Sequence, residues 1–378
     1  MVDDASLPQL RSEIERVDKG ILSLLKERMK VVEGIARTKL SLAVAFRDPS
    51  REEQVLQRVR KVAVELELDT HEIERLYRLI MEMSIARQQA YVRTLDTVPL
   101  RVAFQGTEGS YSQLAAQQRY AERPGGVLLQ GFDTLRQTVA AVVEGQVDCA
   151  LLPIENTTAG SMNETYDLLA EGGITLTGEV IAQLHHRLLA LPGATLSGIR
   201  TVLSHPQALS QCGAFLKTLK GVRFLPELDT AGSARKVKEG NDRSVAAIAS
   251  EPAAALFGLH VLADDLHAEQ AHYTRYVEVS REATPCPDFS ECKTSLLLVL
   301  EHRPGALGEV LVRFGRHGVN LSKLESRPIP GSSWKYQFYL DVEGHAASRE
   351  VVEALDGVRP LTTELRVLGT YPRAKEPA

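Results

Sequence analysis

Residues 7–40 read LPQLRSEIERVDKGILSLLKERMKVVEGIARTKL. Leu7, Leu10, Ile14, Val17, Ile21 and Leu24 fall at alternating three- and four-residue steps, the seam of a helix packed along its length. Val31, Val32 and Ile35 carry the pattern on to about Leu40, a helix longer than a small globular domain needs. Two more helices are expected after it. Asp48 as N-cap and Pro49 at the first helical position open one, with Val55, Leu56, Val59, Val62 and Leu66 as its apolar stripe. Asp69-Thr70 opens the other, whose buried face reads Ile73, Leu76, Tyr77, Ile80 and Tyr91. Residues 1–96 are therefore read as an all-α domain.

The texture changes at Val98-Pro99. Strand-like runs at 101–105, 147–153, 201–203, 222–225, 245–248 and 276–279 alternate with helical ones, which predicts a largely parallel α/β sheet over residues 99–281. Ligands of such sheets bind at the C-terminal ends of strands. The polar loops Gly106 to Ser112, Glu155 to Ser161 and Ser204 to Gln207 stand there. Glu282 to Glu291 is a connector containing Pro, Cys and acidic residues. Residues 294–372 then follow a β-α-β-β-α-β order, the α+β ferredoxin-like plan.

A chain of 378 residues suits two or three such domains. Its net charge of -5 gives no general attraction to nucleic acid or anionic membranes, so any anion site must be built from chosen Arg and Lys side chains. No apolar stretch is long enough to span a bilayer. Met1-Val2-Asp3-Asp4 lacks the basic and apolar regions of a secretory signal, and a cytoplasmic location is expected. Cys149, Cys212, Cys286 and Cys292 form no C-x-x-C pair. Reduced thiols are expected in that compartment, a Cys286–Cys292 disulfide being the less favoured alternative. His205 and the pair His185-His186 lack companions at metal spacing and read as surface or core residues. No metal and no other cofactor is expected.

Several polar residues occupy helical positions that call for apolar ones. Arg28 falls on the seam after Leu24, and Lys39 lies eleven residues on, about three turns or about 16 Å along the same face. Ser84 and Gln88 follow Ile80 at four-residue intervals within the third helix's stripe. The ordinary reading has Arg28 and Lys39 reaching solvent while Ser84 and Gln88 bond each other. Buried together, with Arg11, Asp48 and Glu52 near in sequence, they instead need a partner to offset their desolvation, such as a small polyanion. Arg11 and Lys39 lie about 42 Å apart on one helix, far more than a small ligand spans. If both serve one pocket, they come from different chains of a helix-exchanged dimer.

This segment resembles the helical chorismate mutase domain, on Arg11, Arg28, Lys39, Asp48, Arg51-Glu52, Ser84 and Gln88. The resemblance implies that Arg11 and Arg28 hold the carboxylates of chorismate and that Lys39 and Gln88 donate to its ether oxygen. Glu52 and Asp48 would face the ring hydroxyl and Ser84 a carboxylate, with Arg51 orienting its acidic neighbours. The rearrangement needs no covalent catalysis, only a compact substrate conformer and stabilisation of charge developing on that oxygen.

Residues 100–280 resemble prephenate dehydratase, on Gly109-Ser110-Tyr111-Ser112, Pro153-Ile154-Glu155-Asn156-Thr157 with Gly160, Ser204-His205-Pro206-Gln207 and Thr274-Arg275-Tyr276. The resemblance implies a two-lobed, periplasmic-binding-protein-like α/β fold with the site between the lobes. Prephenate loses its ring hydroxyl and a carboxylate together, so the leaving hydroxide needs a proton or a strong hydrogen bond. Thr274 would be the residue closest to that step. Glu155, Asn156, Thr157, Ser204 and Gln207 would surround the substrate, and Ser110, Tyr111 and Arg275 would bind carboxylate. The chain departs from the Asn-x-Thr-Arg-Phe pattern in having His272 and Tyr276.

The last domain resembles an ACT regulatory module, on Arg303-Pro304-Gly305-Ala306-Leu307 and Glu325-Ser326-Arg327-Pro328. Gly305, Ala306, Leu307, Glu325, Ser326 and Arg327 would then bind phenylalanine as effector, between paired modules. Together the three resemblances imply a bifunctional chorismate mutase/prephenate dehydratase, working as a homodimer or higher homo-oligomer. A fusion to a dehydrogenase would need a G-x-G-x-x-G turn, and none occurs. The alternative is a non-catalytic amino-acid sensor built on the same domains, which has no need of Lys39 and Gln88 at a breaking bond.

Overall fold

The computed structural model of the chain describes residues 7–41, 49–95, 98–264, 266, 272–284, 286, 291–329, 331–332 and 335–375. It divides into two compact units, Met1–Thr97 and Val98–Ala378.

The first unit is helical, with α1 (Leu7–Ser41), α2 (Pro49–Glu65) and α3 (Thr70–Leu95). Pro49 opens α2 as its fixed φ allows, while Asp48 lies outside the described residues. Asp69 caps α3 by accepting from the His71 and Glu72 amides at 2.8 and 3.0 Å. Leu56, Val59 and Ala63 of α2, Ile80, Met81 and Ile85 of α3, and Val32 and Ala36 of α1 are buried. The seam expected along α1 is not. Leu7, Ile14 and Leu24 are 61%, 61% and 68% exposed, so the first four turns and more of this helix bury no apolar face against the described residues of its unit.

The second unit begins with a lobe built from β1 (Leu100–Gln105), α4 (Tyr111–Arg119), β2 (Val127–Phe132), α5 (Leu135–Val143), β3 (Cys149–Asn156), β4 (Gly160–Ser161), α6 (Asn163–Glu171) and β5 (Thr175–Leu184). A second lobe follows, with β6 (Arg187–Ala190), β7 (Thr201–Ser204), α7 (Pro206–Gln211), α8 (Gly213–Leu216), β8 (Arg223–Pro226), α9 (Thr230–Gly240), β9 (Val245–Ala249), α10 (Glu251–Phe257) and β10 (His260–Ala263). The chain then returns to the first lobe through β11 (His272–Ser280). Sheet order is β2-β1-β3-β11-β5, with β4 on β3, in one lobe and β10-β6-β9-β7-β8 in the other. This is the two-lobed α/β plan expected, but the sheets are mixed rather than largely parallel. β11 runs antiparallel to both β3 and β5, and β6 antiparallel to β9 and β10. The reason is topological: a strand returning from the second lobe enters the first sheet at the end where β5 left it, and so points the other way.

The last domain comprises β12 (Cys292–Leu300), α11 (Ala306–Arg316), β13 (Leu321–Pro328), β14 (Tyr336–Glu343), α12 (Arg349–Val358) and β15 (Thr362–Pro372). Its antiparallel sheet has order β13-β14-β12-β15, with both helices packed on Leu296, Leu298, Leu340 and Val342. The other face joins the first lobe. Leu297, Tyr339, Leu368 and Tyr371 share one core with Leu152, Leu176 and Val277. A Cβ at Gly369 would stand 2.1 Å from the Leu176 carbonyl oxygen, so only glycine lets β15 come this close to β5.

The thiols differ from expectation. Cys286 is joined to Cys292, whose Cα lies 6.2 Å away and within bridging reach, while Cys149 and Cys212 are free and buried. No described helix is long and apolar enough to cross a membrane.

Candidate functional site

In the helical unit, Arg28 on α1 turns inward. Its guanidinium donates to Ser84 Oγ and, at 3.4 Å, to the Ile80 carbonyl of α3. Burial lowers the Arg28 pKa from its ordinary value, partly opposed by Tyr77, the signature of a cation lacking a full counter-charge. Ser84 and Gln88 are buried. Gln88 donates to the Ser84 carbonyl at 3.3 Å, not to its hydroxyl, and its buried Oε1 has no hydrogen-bond partner among the described residues. A desolvated guanidinium is what an anionic ligand would complete, and the buried Gln88 oxygen could accept only from a ligand hydroxyl. Lys39 and Glu52 are half-buried. Arg51 is exposed and bonds Gln54 at 3.1 Å. Arg11 is exposed near the far end of α1, and the helix is continuous, so the separation of about 42 Å from Lys39 holds within one chain.

In the second unit a cleft of about 470 Å³ is lined from both lobes, by Ser110, Tyr111, Thr274 and Tyr276 on one side and Gln207 and Gln211 on the other. Thr107 on the first lobe bonds Asp229 on the second at 3.3 Å, and Ser250 bonds the Gly109 carbonyl at 3.2 Å. Ser110 is buried and caps α4. The Tyr111 hydroxyl is engaged with the His185 carbonyl at 2.7 Å and His186 Nδ1 at 2.8 Å. Asn156, 1% exposed, stands behind Thr274 and donates from Nδ2 to its Oγ1 at 2.9 Å. The Asn156 amide is held in turn, its Oδ1 accepting from Thr158 N, Ala159 N and Gln211 Nε2.

Not every expected residue comes to this cleft. Strand alternation places Thr274 and Tyr276 on the cleft face of β11 and Arg275 on the other. Arg275 ion-pairs with Glu179 and with Asp341 of the last domain, both at 2.7 Å, and bonds Tyr371 at 3.1 Å. Its charge is balanced inside the protein, and Arg275 is not among the residues lining the cleft. Glu155 is paired with Lys323 at 2.7 Å, Thr157 bonds the Tyr273 main chain, and the Ser204 hydroxyl is spent on the Ile248 carbonyl at 2.7 Å. His272 lies off the cleft against Thr158 at 2.6 Å, and burial lowers its pKa. His205 caps α7 through Nδ1, and burial lowers its pKa too. Both read as neutral structural histidines.

Other groups were not expected. Gln211 lies one turn beyond Gln207 on α7, hence on the same face, a spacing visible in the sequence. It joins Asn156 to His186 Nε2, the latter at 2.8 Å. Arg235 and Lys236 of α9 bring positive charge to the cleft, where Lys236 also pairs with Glu227 at 2.5 Å. Nothing in their spacing marks them out, because the lobe's folding brings them there. Among the described residues, no three His, Cys, Asp or Glu side chains are placed to hold a metal ion.

In the last domain Gly305 adopts φ 80° and caps α11, beside a shallow pocket that includes Gly308, Glu309 and Arg313. Ala306 is buried and Leu307 half-buried. Glu325 and Arg327 lie on the face of β13 turned to the first lobe, where they meet Ser161 and, at 2.8 Å, Asp167. Ser326 faces the other way and is exposed.

Known proteins match along this whole arrangement. The chorismate mutase type II profile covers residues 10–89, the prephenate dehydratase profile 102–284 and the ACT domain profile 294–359. A bifunctional chorismate mutase/prephenate dehydratase of Enterobacter agglomerans is 36% identical over 377 residues, spanning 98% of this chain and 97% of its own. The chain belongs to the bifunctional chorismate mutase/prephenate dehydratase family. Both enzyme activities and a place in phenylalanine biosynthesis follow from that membership, and the sensor reading falls. Among solved structures, the prephenate dehydratase of Arthrobacter aurescens in complex with L-Phe is similar, with TM-score 0.67 and 32% identity over 74% of this chain and 92% of that one. A protein described as GqqA, a novel type of quorum quenching acylase, is similar at TM-score 0.65 and 36% identity over 72% of this chain and 98% of its own.

Proposed function

We propose that each of the two reactions is carried by a small set of groups in its own unit. In the helical unit, Arg11, Arg28 and Ser84 hold the carboxylates of chorismate. Lys39 and Gln88 stabilise its ether oxygen, and Asp48 and Glu52 bind its hydroxyl side, with Arg51 behind them. The burial of Ser84 and Gln88 and the desolvated Arg28 support this. The length of α1 and its exposed apolar seam support a helix-exchanged dimer that supplies Arg11 from the second chain.

In the cleft of the second unit, Thr274 donates its proton to the departing ring hydroxyl of prephenate. One observation carries this: Asn156 donates into Thr274 Oγ1, which leaves the threonine's own proton for another acceptor. Ser110 and Gln207 surround the substrate, with Arg235 and Lys236 rather than Arg275 supplying charge for its carboxylates. The domains are drawn at residues 1–96, 99–281 and 294–372, and the enzyme is cytoplasmic. Phenylalanine acts as effector at Gly305 to Leu307 and Glu325 to Arg327, and the Phe complex of the Arthrobacter relative supports that reading. Thr274→Ala is expected to abolish dehydratase turnover and spare the mutase, measured on prephenate and on chorismate. Near-native prephenate turnover in that variant removes Thr274 from the role.

A further inference from the structure

His186 stands in the short link between β5 and β6, where the chain passes from the first lobe to the second. It is 2% exposed, and both of its ring nitrogens are engaged. Nδ1 lies 2.8 Å from the Tyr111 hydroxyl of the first lobe, and Nε2 lies 2.8 Å from Oε1 of Gln211 on α7 of the second. Gln211 Nε2 then reaches back to Asn156 Oδ1 in the first lobe at 3.2 Å, and Asn156 Nδ2 donates to Thr274 Oγ1 at 2.9 Å. A line of directed bonds thus runs from the link between the lobes to the Thr274 hydroxyl.

The sense of each bond from Asn156 back to His186 follows from its partners. Asn156 Oδ1 accepts from the main-chain amides of Thr158 and Ala159 at 2.9 and 3.0 Å, so that atom is the carbonyl oxygen and the amide nitrogen faces Thr274. Gln211 must then present its nitrogen to Asn156 and its oxygen to His186. An oxygen in that place needs a donor, so His186 carries hydrogen on Nε2. Held at one end only, the Gln211 amide could turn over and set its oxygen against the Asn156 oxygen, acceptor against acceptor. The Nε2–H of His186 opposes that turn, because it would then meet the amide nitrogen, donor against donor.

We infer that His186 is a positioning residue for the dehydratase reaction. Its Nε2–H holds the Gln211 amide, which holds Asn156, so that Thr274 Oγ1 accepts from behind and keeps its own proton aimed at the departing group. The inference rests on the reading of Thr274 as donor to the leaving hydroxyl. A histidine that only filled the core would need no directed bond toward the cleft. The Tyr111 ring does pack edge-on against His186, with centroids 5.2 Å apart, so the test must separate that packing from the bond to Gln211.

The full-length protein is assayed on prephenate as His186→Asn, His186→Gln, Gln211→Ala and the double variant His186→Asn/Gln211→Ala. An asparagine amide reaches the place of the histidine Nδ1, and a glutamine amide the place of Nε2. His186→Asn should lower kcat about tenfold, the worth of one hydrogen bond, with KM within about twofold. His186→Gln should recover most of that loss. In the Gln211→Ala background His186→Asn should lower kcat no further, because the link it breaks is already gone. Native kcat in His186→Asn overturns the inference. So do equal losses in the Asn and Gln variants, effects that multiply in the double variant, or loss of prephenate binding by calorimetry, since each marks a structural role. Turnover retained in Thr274→Ala would instead overturn the assignment of Thr274.

Discussion

His345 shows how one buried side chain sets the response of the whole second unit to acid. It is 5% exposed, and its Nδ1 accepts from the Ala347 amide at 2.9 Å. Burial lowers its pKa to about 4. The unfolded chain therefore takes up a proton first as pH falls, so the stability His345 contributes is complete above about 6.5 and is lost between there and about 4. That loss amounts to about 3 kcal/mol at its fullest. His205 and His272, lowered by burial as well, act in the same direction. His345→Asn keeps an acceptor without the titration, so the drop in urea midpoint from pH 7 to pH 4.5 should shrink. An unchanged drop would exclude the role. At this scale motifs told part of the story. Ser110, Gln207 and Thr274, marked in the sequence by family resemblance, do come to one cleft, with Asn156 behind Thr274. Arg275 lies on the opposite face of its strand from Thr274, where it pairs with Glu179 and Asp341.

Among the elements, β11 carries the most. It supplies Thr274 to the cleft on one face and Arg275 to the other, where Arg275 pairs with Asp341 of the last domain and with Glu179, which itself pairs with Lys293 of that domain. The contact of β15 with β5 completes that junction. Gly369→Ala forces a Cβ against the Leu176 backbone and should cost about 1–3 kcal/mol in denaturant unfolding of the second unit, with the helical unit unaffected. A variant as stable as native would show that the strands can separate freely. The sequence pattern revealed the three helices and the order of the last domain. Their apolar steps and caps are local. It missed β2, β4, β5, β6 and β10. β5 is interrupted by Gly178 and carries Glu179, a charge whose burial is made tolerable by Arg275, Lys293 and the Ala374 amide. The direction of β11 was equally invisible, since it depends on where the chain returns from.

For the molecule as a whole, the central issue is how many chains build a mutase pocket. Helix α1 presents an apolar stripe from Leu7 to Leu24 that no described residue of the helical unit covers, and contiguous apolar surface of that length calls for a partner. Arg28, Ser84 and Gln88 gather at one end of the unit while Arg11 stands near the other. On the proposed reading one chain holds an incomplete pocket, which a second copy crossing the first would complete. The periodicity announced the stripe, but only the continuous helix makes the separation of its ends compelling. Chorismate mutase activity of Arg11→Ala and Lys39→Ala proteins, measured alone and after unfolding and refolding them together, tests this most directly. Each alone should be nearly inactive. The mixture should recover about a quarter of native activity, because half the dimers are mixed and each of those has one intact pocket of its two. A mixture as inactive as its components would contradict a pocket shared between chains.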